Sequence, residues 1–295
     1  MTLQIIKAKE TGFCFGVRRA IRMLELAASK HDHIDTLGAV VHNEQVTKRL
    51  GAMGIRTIDN LDELQSEFVA ISSHGVSPLV ENELRARSLS VIDTTCPFVK
   101  RVQRAARKLV EGGFFVIVYG DARHPEIKGI MGGIGDKGMS TQDASFFKTF
   151  QDIPRRIGIL AQTTQIPENF ILFVKDMIDL TLRQDSEIQV LDTICHDIRK
   201  RQSFSLDLAP VVDLMLVIGG QSSANTRRLT EICAKIVETH QISQAKEIDP
   251  DWLKGKRKIG LTGGTSTPEE SIDEVWKNLS AYNKGEADNS PRDQD

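Results

Sequence analysis

Closely spaced cysteine pairs of the C-x-x-C kind, the usual mark of a structural zinc site, are missing from this 295-residue sequence. Its glycine-rich turns are read as not matching G-x-G-x-x-G, the flavin or nicotinamide fingerprint, so any electrons the protein uses must come from outside. No apolar run is long enough to cross a bilayer, and the opening Met1-Thr-Leu-Gln-Ile-Ile-Lys7 lacks a secretory h-region. Excess charge is also missing: a net charge of -2 and a pI near 6.4 argue against a general nucleic-acid binder. The local basic run Arg199-Lys-Arg201 reads as a solvated helix face. These absences lead us to expect a soluble protein of a reducing cytoplasm, without membrane or nucleic-acid partners. Its four cysteines are then thiols or metal ligands rather than a disulfide framework.

What is present is organised around three short stretches, Thr11-Gly-Phe-Cys14, Asp93-Thr-Thr-Cys96 and Asp192-Thr-Ile-Cys195. The second and third are near copies. After Cys14, Val17, Ile21, Leu24 and Ala28 recur at helical spacing. After Cys96, Pro97 takes the place of a first helical residue, ahead of Val99, Val102, Ala106, Leu109 and Val110. The helix predicted after Cys195 is more polar. A cysteine at a helix start meets unpaired N–H groups and the positive end of the dipole, both of which favour thiolate. Three such cysteines suggest one soft-metal site built between three lobes. Cys233 differs, since it shares an apolar helical stripe with Leu229, Ile232, Ile236 and Val237 and reads as core. Three chemistries stay open: zinc with dispersed ligands, an iron-sulfur cluster with one iron lacking a protein thiolate, or a cluster whose fourth ligand is a histidine.

Strand-like runs alternate with helical stretches along the chain, the pattern of α/β layers with parallel sheet. Six runs end in polar loops, at His42, His74, His124, Thr163, Ser223-Ala-Asn225 and Ser266. Grouped by the preceding cysteine they form a weak threefold repeat. Ligands of open parallel sheets bind outside the carboxyl ends of strands, so six such ends facing one centre would line a polar pocket. We expect three small α/β lobes with mostly parallel sheets in a cloverleaf around a central site: residues 1–96, 97–194 and 195–283. The tail 284–295 is low in apolar residues and is expected to be disordered.

His42, His74 and His124 each close an apolar run, and three in equivalent places point to a shared anionic ligand. The loops Gln221–Thr226 and Gly263–Thr267 add hydroxyls, an amide and backbone N–H groups at predicted helix starts, which is phosphate-binding chemistry. Ordinary N-capping by Asn225 or Thr226, and by Ser266 or Thr267, uses the same geometry, so both readings stand. Glu126 follows Pro125 at another predicted helix start, where the dipole favours a carboxylate in any case. Shielded from water, such a carboxyl group holds its proton nearer neutral pH and becomes a candidate proton donor, with Thr163 and Thr164 as relays.

Taken together, Gly12-Phe-Cys-Phe-Gly-Val17, Gly38-Ala-Val-Val-His-Asn43, Ser73-His-Gly75, Asp93-Thr-Thr-Cys-Pro97, His124-Pro-Glu126, Gln162-Thr-Thr164, Asp192-Thr-Ile-Cys195 and Ser223-Ala-Asn225 closely resemble the 4-hydroxy-3-methylbut-2-enyl diphosphate reductases, which complete the methylerythritol phosphate route to isoprenoids. The resemblance runs from about Ile5 to about Tyr282. It implies a 4Fe-4S cluster on Cys14, Cys96 and Cys195 in a three-lobed fold. It also implies a diphosphate substrate held by His42, His74, His124, Thr163, Ser223, Asn225 and Ser266, and a proton supplied by Glu126. Ala224 stands where many members carry serine, which leaves it a backbone-only contact. The implied reaction is reductive removal of the allylic hydroxyl to give isopentenyl and dimethylallyl diphosphates, with a ferredoxin or flavodoxin as electron donor. Two rivals are a non-redox iron-sulfur hydro-lyase, which would need no reductant, and a diphosphate-binding or iron-sensing protein without turnover.

Overall fold

In a computed structural model of the chain, residues 3–150, 152–182 and 185–288 are described. The chain opens with β1 (Gln4–Lys7) and α1 (Phe15–Ala28), then lays down β2 (Ile34–Leu37), α2 (Glu44–Gly51), β3 (Ile55–Ile58), β4 (Phe68–Ile71), α3 (Pro78–Ala86) and β5 (Ser90–Asp93). After α4 (Pro97–Glu111) come β6 (Phe115–Tyr119), α5 (Pro125–Met131), β7 (Gly138–Thr141), β8 (Arg156–Ala161), α6 (Pro167–Thr181) and β9 (Glu187–Leu191). The last stretch holds α7 (His196–Leu208), β10 (Leu214–Ile218), α8 (Ala224–Ala234), β11 (Thr239–Ile242), α9 (Pro250–Leu253), β12 (Lys258–Gly263) and α10 (Glu269–Asp288).

The strands form three α/β lobes, each with a four-stranded, wholly parallel sheet, in the orders β3-β2-β4-β5, β7-β6-β8-β9 and β11-β10-β12-β1. Numbered as each lobe's strands arise, the first two orders are both 2-1-3-4. The third repeats that order, with the first strand of the chain in fourth place. β1, which the linear reading puts in the 1–96 lobe, pairs with β12 from Gln4↔Lys258 to Lys7↔Leu261. It covers an edge of β12, whose Ile259 and Leu261 are fully buried. Leu214-Met-Leu-Val-Ile218 of β10 is buried at every residue, the continuous apolar run that a parallel strand needs when both its faces are covered. By packing, the chain forms two compact units. One takes the segment up to Cys14, His42–Val46 and everything from Asp197 on; the other takes Phe15–Val41 and Thr47–His196.

This strand order explains where the candidate residues fall. In a 2-1-3-4 sheet, strands 1 and 3 are neighbours whose connections leave in opposite directions, the switch point at which open parallel sheets take ligands. The six strands flanking the three switch points are β2, β4, β6, β8, β10 and β12. The loops leaving them carry His42, His74, His124, Thr163, Ser223–Asn225 and Ser266. The fourth strands, β5, β9 and β1, run on to Cys96, Cys195 and Cys14.

Two details change the sequence picture. The string Gly133-Ile-Gly-Asp-Lys-Gly138 does match G-x-G-x-x-G letter for letter, contrary to the reading that no glycine-rich turn does. It joins the end of α5 to β7, a helix-to-strand connection and the reverse of the strand-to-helix turn that cradles a pyrophosphate. The expected disordered tail begins at Lys284, whereas α10 carries helix to Asp288; residues 289–295 lie outside the described residues. Among the described residues no helix is long and apolar enough to cross a membrane.

Candidate functional site

The near identity of Asp93-Thr-Thr-Cys96 and Asp192-Thr-Ile-Cys195 has a direct structural meaning. Asp93 Oδ1 accepts the Thr95 N–H at 3.0 Å, and Asp192 Oδ1 accepts the Ile194 N–H at 3.2 Å, so each aspartate closes an Asx turn. The next residue bonds the neighbouring strand: the Thr94 hydroxyl donates to the Ile71 carbonyl and the Thr193 hydroxyl to the Ala161 carbonyl. Burial alone would raise the Asp93 pKa, but hydrogen bonds from Lys100 and Thr95 outweigh it and hold the carboxyl below its usual range. The turn aspartate therefore stays ionised at neutral pH.

Each cysteine is then anchored the same way. The Cys96 N–H donates to Ser73 O at 3.0 Å, the Cys195 N–H to Thr163 O at 2.9 Å and the Cys14 N–H to Thr265 O at 3.1 Å. In every lobe the cysteine that follows the fourth strand is tied to the loop leaving the third. The cysteine and the polar loop beside it are thus one rigid construction, repeated three times. Cys96 occupies the N-cap position of α4 without a side-chain capping bond, and none of the three is in a disulfide. Cys233 lies on α8 at zero exposure, its thiol pushed up to about 12 by burial, which is the inert core residue the sequence predicts.

Glu126 and Thr163 meet in the unit that holds Cys96 and Cys195. Glu126 lies in the first turn of α5 and is 2% exposed. Its Oε1 accepts the Thr163 N–H at 2.8 Å, and its Oε2 lies 2.8 Å from the Thr163 hydroxyl. His124 is the N-cap of α5: its Nδ1 accepts the Glu126 N–H at 3.1 Å, which fixes the ring. The His74 ring packs edge-on against it, centroids 5.3 Å apart. Gly75, at φ +73°, makes the turn after His74; a Cβ there would lie 2.9 Å from Thr95 Cγ2, so glycine is required on both counts.

The other unit gathers Cys14, His42, Ser223, Asn225 and Ser266. Ser223 caps α8, its Oγ accepting the Thr226 N–H at 3.3 Å. Capping therefore belongs to Ser223 rather than to Asn225 or Thr226, which leaves the Asn225 amide for another purpose. Asn225 is 3% exposed, and neither its Nδ2 nor its Oδ1 meets a hydrogen-bonding group of the protein. A buried amide left so costs stability, and ligand binding is a reason to keep it. The first amides of α8, at Ala224 and Asn225, have no acceptor inside the helix. At β12 the Thr267 hydroxyl donates to Ile218 O at 2.8 Å, a structural bond, while Ser266 is buried beside it. The His42 carbonyl lies so close to Gly220 that a Cβ there would sit 2.5 Å from it, which sets His42 at the end of β10. Burial, then the Arg227 cation, lowers the His42 pKa, so the imidazole is neutral near pH 7.

One residue of this unit was misread from sequence. Arg201, assigned to a solvated helix face, is 3% exposed. Its guanidinium donates to Gly263 O at 2.8 Å and to Gly12 O at 2.7 Å, holding the approach to Cys14 against the end of β12. Its neighbours Arg199 and Lys200 are half-buried and exposed, so the charge run itself gave no sign of which member turns inward. Arg201→Met should cost about 3 kcal/mol of stability or more, since bonds to a charged donor are each worth roughly 1.5–3 kcal/mol and two buried carbonyls lose theirs. Arg201→Lys can keep one of them and should cost less. Urea unfolding of both variants measures the difference; equal stability of parent and Arg201→Met would remove the clamp.

The family model described as LytB protein matches residues 5–280. This chain belongs to the LytB family. A relative from Dehalococcoides mccartyi (strain CBDB1), named 4-hydroxy-3-methylbut-2-enyl diphosphate reductase, is 51% identical over 278 residues, covering 94% of this chain and 98% of its own. One of the same name from Pelobacter propionicus is 42% identical over 283 residues, 96% and 99% of the two chains. Among solved structures, the E-1-hydroxy-2-methyl-but-2-enyl-4-diphosphate reductase of Plasmodium falciparum aligns with TM-score 0.87 at 24% identity over 94% of this chain and 88% of its own, a likeness of fold. A second, described as the terminal enzyme of the non-mevalonate pathway, aligns with TM-score 0.68 at 36% identity over 95% and 100%. The LytB assignment and the three parallel-sheet lobes agree with the motif resemblance read from the sequence.

Proposed function

We propose that this LytB-family chain is a 4-hydroxy-3-methylbut-2-enyl diphosphate reductase. It takes the allylic hydroxyl of its substrate off as water, with two electrons and two protons, and yields isopentenyl and dimethylallyl diphosphates. The observation that carries the reading is 51% identity to a relative of that name along nearly the full length of both chains.

We assign Cys14, Cys96 and Cys195 as the thiolate ligands of a 4Fe-4S cluster. The donor set suits it: three half-buried sulfurs outside any disulfide, each on a carbonyl-anchored backbone turn, too few to satisfy four irons. When bound, such a cluster supplies electrons singly and a Lewis-acidic iron for the hydroxyl oxygen. The remaining work falls to the protein. Asn225, Ser223, Ser266 and the Ala224 amide offer donors for a diphosphate at the start of α8 and the end of β12, with His42 beside β10. His74 and His124 add ring nitrogens in the other unit. Glu126, buried beside Thr163, is the proton donor of this reading: its Oε2 accepts the Thr163 hydroxyl in the structure, and once the carboxyl is protonated the contact reverses, so that the hydroxyl takes the Glu126 proton and gives its own toward the substrate oxygen. An external ferredoxin or flavodoxin supplies the electrons, and thiol ligands of this kind suit a reducing cytoplasm.

The reading is tested by anaerobic purification followed by assay with a reduced low-potential dye and the hydroxy-diphosphate. Reductant-dependent formation of both C5 diphosphates is expected. Turnover without reductant would make the protein a hydro-lyase, and binding without turnover a sensor.

Two further outcomes separate ligand binding from support of the fold. Asn225→Ala should leave thermal stability unchanged or raised, because it removes two unmet polar atoms. It should weaken substrate binding by about tenfold or more, the value of a charge-assisted hydrogen bond. A fall in stability with unaltered affinity would make Asn225 structural. For His42 the linkage has a definite sign. Its pKa is lowered in the free protein and a bound diphosphate favours imidazolium, so binding takes up a proton. Affinity should rise as pH falls from about 7.5 to 6, more steeply in the parent than in His42→Asn. Calorimetry in buffers of different ionisation enthalpy counts the proton; equal uptake in both proteins would exclude His42.

A further inference from the structure

The chain as a whole is nearly neutral, with 38 basic and 40 acidic residues, but α1 and α4 are not. α4 carries five basic residues against one acidic, Glu111 at its far end, and α1 carries three against one. The acid on α1, Glu25, is bound by Arg49 at 3.0 Å. The buried stripe of α4 is Val99, Val102, Gln103, Ala106 and Leu109, so Arg101, Arg104 and Lys108 share the solvent face; Arg18 and Arg22 are the exposed cations of α1.

The two helices meet at Cys96. A Cβ added to Gly16 would lie 2.5 Å from Cys96 Sγ, and Arg19 reaches the Thr95 carbonyl at 3.3 Å. Glycine at position 16 lets the first turn of α1 lie directly over the sulfur. The side chain just before it, Phe15, is 56% exposed. Phe15 is thus an exposed phenylalanine beside a candidate cluster thiolate, where two helices with exposed arginines meet. It has the composition of a transient electron-transfer interface: a small apolar contact next to the redox group, with steering charge around it.

We infer that the face of α1 and α4 around Phe15 is where an acidic ferredoxin docks to reduce the protein through the Cys96 edge. This rests on the reductase reading above. Arg18, Arg22, Arg101 and Arg104 steer the carrier, Phe15 seats it, and Gly16 keeps the covering layer over Cys96 thin. Each encounter oxidises one carrier by one electron. Two encounters and two protons convert the C–OH of the substrate to C–H and release its oxygen as water. Charge supplies rate rather than lasting affinity, so the carrier can leave between electrons.

The test uses full-length, cluster-loaded Arg101→Glu/Arg104→Glu with two reductants: a reduced acidic bacterial ferredoxin, and dithionite as a small reductant that needs no docking face. In stopped flow at low ionic strength, the variant's second-order rate with ferredoxin should fall about tenfold or more. The parent's rate should fall as salt rises toward about 0.5 M while the variant's stays nearly flat. Arg101→Lys/Arg104→Lys should recover most of the rate. Dithionite-driven turnover and iron content should match the parent in all variants. An unchanged ferredoxin rate, with cluster and dithionite turnover intact, overturns the docking face and leaves the reductase reading in place. A parent with neither iron-sulfur absorbance nor dithionite-driven turnover overturns both. If duplex DNA binds the parent at low micromolar concentration and the variant does not, with ferredoxin rates equal, the face is a nucleic-acid surface and the inference fails.

Discussion

Serine in place of Cys14, Cys96 or Cys195, one at a time, is expected to abolish turnover and to strip or damage the cluster, while Cys233→Ala keeps both. The contrast rests on where the four thiols sit. Three follow the fourth strand of a parallel sheet, and each is held by its own N–H to the loop of the adjacent strand, at 3.1, 3.0 and 2.9 Å. That bond fixes the direction of the cysteine before any metal arrives, so serine at the same place offers a hard oxygen on an unchanged backbone. Changing even an outer partner of a metal ligand costs about 10–100-fold, so losing a ligand should exceed that. Cys233 has no exposure, and burial pushes its thiol to about 12, so it offers neither access nor a thiolate. Its replacement leaves a small cavity worth about 1 kcal/mol. Iron content, visible absorbance and turnover should be read on protein whose circular dichroism matches the parent. Full iron and activity in any of the three serine variants, or their loss from a folded Cys233→Ala, would break the assignment.

How much of this was legible in the sequence depended on whether a residue's task leaves a mark in its neighbours. Five of the six switch-point strands, β4, β6, β8, β10 and β12, were legible because they are largely buried and so are written as apolar runs; the polar loop that closes each run then announces itself. β2 is Ile34-Asp-Thr-Leu37, with Asp35 and Thr36 buried, and the apolar stretch that His42 closes, Ala39-Val-Val41, lies in the loop beyond it. The outer strands were not. β9 exposes Val190 and Leu191, and β1 has four residues, so neither carries a run to notice. The placement of β1 beside β12 depends on a pairing across the whole chain, which no local period encodes. The copied Asp-Thr-x-Cys was visible as a repeat, and its meaning appeared only with the Asx turn and the threonine bond to the neighbouring strand. α7 looked more polar because its buried stripe includes Arg201, Gln202 and Ser205; Arg201 and Ser205 meet partners far away in sequence, which no local pattern shows. Capping and ligand binding at α8 could be separated only by geometry, which gives the cap to Ser223 and leaves the Asn225 amide unmet.

The largest effect at unchanged cluster content should come from Glu126→Gln. Pro125 and the His124 cap start α5 in a fixed direction, and Glu126, in its first turn, is buried against the loop that leaves β8. Both carboxyl oxygens are engaged by Thr163, one by its N–H and one at its hydroxyl, each at 2.8 Å. The same Thr163 accepts the Cys195 N–H through its carbonyl, so acid, relay and cysteine share one rigid segment. Glutamine keeps the size of the side chain. Its carbonyl oxygen can still accept from the Thr163 N–H, while its NH2 can still meet the hydroxyl, so fold, cluster and substrate binding should persist. What is lost is a proton that can be given up. General-acid catalysis contributes about 10²–10⁴-fold, so kcat should fall by roughly a hundredfold or more with the substrate Kd nearly unchanged. Glu126→Asp keeps the acid but shortens its reach and should recover part of the rate, which a purely structural role would not allow, because the shorter side chain also loses packing. Substrate should accumulate on Glu126→Gln with its hydroxyl still attached, visible by chemical quench after a single turnover. Parental kcat under excess reductant would take Glu126 out of the reaction and leave it a carboxylate at the start of α5.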